Sequence, residues 1–290
     1  MNTAAKLSAY GVALALLVTG AYGIGAAVGP RTAATAAGGH DPHSASVAGP
    51  AAQPASQPAG LASSSGGYTL TPTDPTLTPG QTETFSFRIT GPDGAPVTAF
   101  DVEHDKQMHL IVVRRDSAGF QHLHPEMSAD GTWSVPLTVS AGGSYRAFAD
   151  FAPTNGEPTT LGVDLSAPGA YEPLTHAATR IAQVDGYTVE LTGDLVAGQA
   201  APITLAISRD GAPVTDLQPH LGAYGHLVAL REGDLAYLHV HPDGSGAAAG
   251  PQVSFVAEVP SAGRYRLFLD FRHDGAVRTA ELTVPTGHGH

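Results

Sequence analysis

Polar and apolar positions alternate through most of the chain from Tyr68 onward. In YTLTPTDPTLTPGQTETFSFRIT (68–90), Phe85, Phe87 and Ile89 fall on one face, the period-two pattern of a half-buried strand. PDGAPVT (92–98) is a turn leading into the next strand. The same grammar returns in YTVELTGDLVAGQAAPITLAIS and RDGAPVT (209–215), so the letters Asp93 to Thr98 recur unchanged at Asp210 to Thr215, 117 places on. SAGGSYRAFADF (140–151) likewise returns as PSAGRYRLFLDF (260–271). A repeat of this period that carries a whole strand set means two homologous domains rather than a solenoid. Short strands spaced by Gly, Pro and Asp turns predict an all-β chain of two tandem immunoglobulin-like antiparallel β-sandwich modules, 68–184 and 185–290. A jelly roll or cupin barrel is the competing architecture.

The pattern differs ahead of Tyr68. Residues 1–30 carry Lys6 and then LSAYGVALALLVTGAYGIGAAVG, with no charge until Arg31. That run is long enough to cross a bilayer and longer than an ordinary signal-peptide core, so an N-terminal transmembrane helix is expected, a cleaved signal segment being the alternative. Lys6 on its short side places the modules outside the cytoplasm. Residues 31–67 are Ala, Gly, Pro, Ser, Thr and Gln with one HDPH, too little apolar surface to offset ordering, and read as a disordered linker. His40 and His43 are expected to be solvated there, transient contact with a metal being the alternative.

Composition narrows the chemistry. The 290 residues include 35 Gly, 23 Pro and no Cys, with a formal net charge of -12. Nothing of that charge would neutralise phosphates, so no nucleic-acid partner is expected. The absence of Cys removes disulfides, thiolate ligands and thiol nucleophiles. Any metal site must use His, carboxylate, Met or backbone.

Two stretches supply such a site. HDKQMHLIVVRRDSAGFQHLHP (104–125) and HLGAYGHLVALREGDLAYLHVHP (220–242) superpose His109 on His226, His122 on His239, His124 on His241 and Pro125 on Pro242. In the first, HLIVVRR is a strand, DSAG a turn and FQHLHP the returning strand. His122 and His124 share a side, and His109 lies across from 124–126, so three imidazoles can converge on one open hairpin face. Three nitrogens on a rigid hairpin can hold a divalent ion. His104 and His220 precede the hairpins by five and six residues, a mismatch that makes each a candidate fourth ligand from a loop. Asp150 and Asp270, in FADF and FLDF, are candidate ligands or acceptors for an imidazole N–H, with pairing to Arg146 or Arg266 as the alternative. Met108 flanks the first cluster, where a thioether would favour Cu(I), and core packing is its alternative.

MHLIVVRRDSAGFQHLHPEMSADGTWS and LGAYGHLVALREGDLAYLHVHPDGSG resemble the tandem His-bearing β-modules of exported or membrane-anchored bacterial, often actinobacterial, proteins. The modules are similar to YtkA-like and copper-resistance-type periplasmic domains over roughly residues 68–285. The resemblance implies a small β-sandwich associated with metal, especially copper, and no reaction. The expected function is therefore non-enzymatic and extracytoplasmic: copper or zinc held by a three-His site in each module, for sequestration or for delivery to a membrane transporter or another metal acceptor. Two other classes compete, a structural or adhesive sandwich pair with scaffold histidines and a cupin-like metalloenzyme built on HLHPE. The chain carries no GxSxG, no HExxH and no phosphate-binding Gly loop.

Overall fold

The computed structural model describes residues 57–242 and 249–287, the side chains of His239, His241 and Pro242 excepted. The expected anchor and most of the expected linker lie outside the described residues. Among those described, no helix is long and apolar enough to cross a membrane.

The first module opens with β1 (Ser64–Ser65), β2 (Tyr68–Pro72), β3 (Thr82–Thr90), β4 (His109–Arg114) and β5 (Gln121–Leu123). It closes with β6 (Glu126–Met127), β7 (Thr132–Thr138), β8 (Gly143–Phe151) and β9 (Thr159–Ala167). Its two antiparallel sheets run β1-β2-β3-β7-β6 and β5-β4-β8-β9. The second module has β10 (Ile181–Val184), β11 (Tyr187–Thr192), β12 (Ala200–Arg209), β13 (Ala212–Pro213) and β14 (His226–Arg231). There follow β15 (Tyr237–His239), β16 (His241–Pro242), β17 (Gln252–Glu258), β18 (Arg264–His273) and β19 (Ala276–Pro285). These form sheets β10-β11-β12-β17-β16 and β15-β14-β18-β19, the same order strand for strand, with β13 paired to β12. The described residues are all-β, two tandem immunoglobulin-like sandwiches.

Each sandwich closes on the alternation read from the sequence. Phe85, Phe87 and Ile89 point inward from β3 and meet Trp133, Leu110, Val112 and Leu161. In the second module Val189, Ile203, Leu205, Phe255, Leu267 and Leu282 do the same. Burying each such side chain stabilises by about 1.5–3 kcal/mol.

The inner strands β4, β8, β14 and β18 break the alternation because both of their faces are covered. One face fills its own sandwich. The other meets the second module in a shared apolar layer of Ile111, Val113 and Phe148 against Val228, Leu230, Leu235, Tyr237 and Phe268. Phe120 stacks on Phe268 with ring centroids 4.0 Å apart. The His-bearing hairpins therefore face each other, and the open hairpin face expected from the sequence is closed by the partner module.

Two boundaries shift. The linker reading of 31–67 fails over its last part, because residues 59–65 are docked. Gly60 N–H donates to Thr160 O at 3.1 Å, Tyr237 N–H to Ala59 O at 3.0 Å, and the Arg146 guanidinium to Gly60 O at 2.6 Å. Composition alone looks disordered there because the order comes from backbone groups and one buried arginine. The second sandwich begins before 185, since β10 pairs with β11 and Thr179 bonds to Thr283. Gly60 has a φ of +73°, and a Cβ there would stand 2.6 Å from the Phe148 ring. Gly60→Ala should therefore cost about 3 kcal/mol, roughly 6–12 °C of Tm, in thermal unfolding. A shift within a degree would show that this strap does not hold the modules.

Candidate metal centre

His109 begins β4 opposite Asp150 on β8, and His226 begins β14 opposite Asp270 on β18. Both rings are buried, and both are set by the turn before them. His109 Nε2 lies 3.0 Å from Glu103 O, while His226 Nε2 lies 2.9 Å from His220 O and 3.1 Å from Leu221 O. A carbonyl only accepts, so each Nε2 carries the proton and each Nδ1 a lone pair. The turns are two-residue hairpins, Glu103–Lys106 and His220–Ala223. Their central residues are left-handed in both copies: His104 and Asp105 in one, Leu221 and Gly222 in the other. His220 thus occupies the place of Glu103, and His104 that of Leu221. This explains the five- against six-residue spacing.

The returning strand β5 pairs Leu110 with Leu123 and Ile111 with His122, so the next step sets His124 across from His109. His109, His122 and His124 each place a ring nitrogen within 4.8 Å of the others. Their ring centroids are 5.3, 5.1 and 4.7 Å apart. His122 Nδ1 donates to Asp270 Oδ2 at 2.8 Å, a contact made by the other module. Thr279 Oγ1 donates to the second oxygen of Asp270 at 2.6 Å. His122 Nε2 lies 3.1 Å from His109 Nδ1, at hydrogen-bond distance, so a shared proton or a metal ion can sit between the two nitrogens. His124 Nε2 is buried and has no hydrogen-bond partner.

Protons are disfavoured there. Burial holds His109 at about 4, with the nearby His122 adding to the depression and the Glu103 carbonyl opposing it. Burial, then His122 and His109, hold His124 at about 3. Burial holds His226 at about 4, the His220 carbonyl opposing and His104 adding to it. Burial also lowers His220. These groups bind fewer protons folded than unfolded between about pH 4 and 6.5, so stability is full above 6.5 and falls as pH drops through that window. His109 alone accounts for at most about 3 kcal/mol. Thermal melts of the metal-free chain should lose several degrees between pH 7 and pH 5; a flat profile would contradict the buried neutral rings.

Among the described side chains the structure gathers six rings, four from around the first hairpin and two from the second. His104 lies 5.2 Å from His226 and 6.1 Å from His109, and His220 lies 6.2 Å from His226 and 6.4 Å from His124, centroid to centroid. His239 lies in β15 opposite Val228, repeating the pairing of His122 with Ile111, and His241 lies in β16; their side chains are outside the described residues. Asp150 accepts from Thr160 Oγ1 at 2.8 Å and from Tyr237 OH of the second module at 3.4 Å. Neither aspartate pairs with the neighbouring arginines: Arg146 goes to Asp164 and Gly60 O, Arg266 to Glu281 and Thr283. Met108 is not among the side chains gathered here. It packs in its own sandwich core, 1% exposed, because consecutive strand residues face opposite ways and His109 takes the other side. The thioether argument for Cu(I) falls with it. A cavity of about 40 Å³ lies beside the rings, lined by His104, His109, His122, Asp150, His226 and Tyr237 among others. Sequence reasoning missed Tyr237, Thr160 and Thr279. The two threonines were findable, since they stand opposite Asp150 and Asp270 in matched strands.

No curated protein matches the chain in sequence. Among solved structures, an Escherichia coli adhesin is 13% identical with a TM-score of 0.28, covering 78% of this chain and 65% of its own. Invasin, a bacterial integrin-binding protein, is 15% identical with a TM-score of 0.23, covering 77% of this chain and 39% of its own. A membrane-anchored protein from Corynebacterium diphtheriae is 9% identical with a TM-score of 0.24, covering 77% and 58%. The chain thus spans less than two thirds of the length of each of these proteins. One family profile, a domain of unknown function (DUF8832), matches twice, over residues 62–169 and 182–287, and the chain belongs to that family.

Proposed function

We propose that this is a metal-binding protein of the extracytoplasmic side, holding copper or zinc between its two sandwiches to sequester the ion or pass it to a membrane-bound acceptor. One observation carries the reading: His109, His122 and His124 bring three ring nitrogens within 4.8 Å of one another, with His109 Nδ1 and His122 Nε2 only 3.1 Å apart. The partnerless Nε2 of His124 stands beside them. Metal–nitrogen bonds of about 2.0–2.1 Å at a tetrahedral ion separate imidazole centroids by roughly 5 Å. The spacings of 4.7–5.3 Å fit one common ion, with a small inward rotation closing the widest nitrogen pair. Asp270 would orient His122, as carboxylates do behind ligating imidazoles. The cavity of about 40 Å³ that His109 and His122 line has room for a water or two beside such an ion, far below the roughly 300 Å³ of the smallest ordinary ligand pockets. A net charge of -12 favours encounter with cations. The resemblance to YtkA-like and copper-resistance modules points the same way, and the apolar run at 1–30 would keep the modules at a membrane.

A structural or adhesive sandwich pair is the second reading, favoured by the cross-module bond of His122 to Asp270, which joins the modules without an ion. Calorimetric titration of the full chain with Zn(II) and Cu(II) separates the two. Saturable binding at micromolar Kd or tighter, with one bound ion per chain lost in the His109/His122/His124 alanine variant, is the expected result. No saturation below millimolar metal would leave the structural reading.

A further inference from the structure

We infer that His104 and His226, one from each module, hold a second cation beside the first, so that the ion itself spans the module boundary. The inference rests on the metal reading above and goes beyond it by assigning a site with ligands from both modules. Their ring centroids are 5.2 Å apart, the separation found within the His109, His122 and His124 set and close to the roughly 5 Å of two imidazoles on one tetrahedral ion. The other cross-module histidine contacts among the described side chains are wider, at 6.4 Å for His122 with His226 and for His124 with His220.

The donor set is fixed on one side by backbone. His226 gives its Nε2 proton to the carbonyls of His220 and Leu221, leaving Nδ1 as the ligating atom. His104 stands at the first central position of a two-residue hairpin with φ of +49°, where Asn or Gly is the ordinary choice. An imidazole at that place extends over the cavity that His226 and Asp150 also line. Asp150 and Asp270, one from each module, put negative charge beside the two positions and offset half the charge of two divalent ions. The ion class is a borderline divalent cation that prefers imidazole, Zn(II) or Cu(II). Binding would tie the modules together at a point where no covalent link joins them.

The test is equilibrium dialysis of the full chain against Zn(II), with bound zinc counted per chain, for wild type, His104→Asn and His226→Gln. Asn suits the left-handed turn, and Gln keeps a donor for the turn carbonyls, so both variants should fold; near-UV circular dichroism checks this. Two zinc ions in wild type, and one in each variant at the unchanged affinity of the remaining site, are expected. The Cu(II)-loaded wild type should also show dipolar broadening in its electron paramagnetic resonance spectrum, absent from His104→Asn. One ion in wild type, unaffected by His104→Asn, overturns the second site and leaves the first. Two ions unaffected by His104→Asn, or both lost together in a folded variant, also overturn it. No bound zinc in wild type overturns the metal reading itself.

Discussion

His124→Ala should lower the affinity for Zn(II) or Cu(II) by about 100-fold or more while leaving Tm unchanged or slightly raised. Replacing even an outer-shell partner costs 10–100-fold in metal affinity, so the loss of a ligating nitrogen sets that range as a floor. The stability half follows from what the ring does without metal. Its Nε2 is buried and has no partner, so it incurs a desolvation cost of about 1–3 kcal/mol that alanine removes. Lost packing offsets part of that gain. A scaffold histidine would behave in the opposite way, with a lower Tm and unchanged metal binding. Calorimetry and thermal melts on the same pair of proteins decide between the two.

Asp270→Ala should be destabilising and should weaken metal binding as well. Asp270 is 5% exposed at its side chain and accepts from both His122 Nδ1 and Thr279 Oγ1. Its removal strips the acceptor from one buried donor, His122, and one half-buried donor, Thr279, worth about 2 kcal/mol together, or roughly 4–8 °C of Tm. Because Asp270 belongs to the second module and His122 to the first, the loss falls on their junction as well as on one sandwich. Freed from its acceptor, His122 can take the other tautomer and turn its Nδ1 lone pair away from the centre. Metal affinity should then fall about 10–100-fold. Melts and Zn(II) titration of the folded variant check both. A stable variant with unchanged affinity would mean that the cross-module bond neither holds the modules nor orients the ligand.

The sandwiches were legible because β3 and β7 keep one wet face, so Phe85, Phe87 and Ile89 alternate with exposed residues. The same rule located the hairpin register, with His109 meeting His124. What was hidden is the relation between modules. Leu110, Ile111, Val112 and Val113 form a continuous apolar run, the mark of a strand covered on both faces, but a run cannot say what covers the second face. The covering residues, Val228, Leu230 and Phe268, lie more than a hundred positions later and are legible only as the first module's own repeat. The bond from His122 to Asp270 joins residues 148 apart and reverses the natural guess that each module completes its own site. Met108 was adjacent to the site in sequence and excluded from it by strand parity. His104 and His220 look like one mismatched ligand pair, yet they are different positions of one repeated turn, which only the left-handed residues disclose.

The most direct measurement is X-ray absorption at the zinc edge on the full chain loaded with one equivalent of Zn(II). The account predicts a first shell of nitrogen and oxygen near 2.0 Å with the outer-shell scattering of at least three imidazoles, and no sulfur shell near 2.3 Å. The same spectrum from His124→Ala should lose one imidazole. An oxygen shell with at most one imidazole, unchanged in that variant, would contradict a metal centre built from His109, His122 and His124.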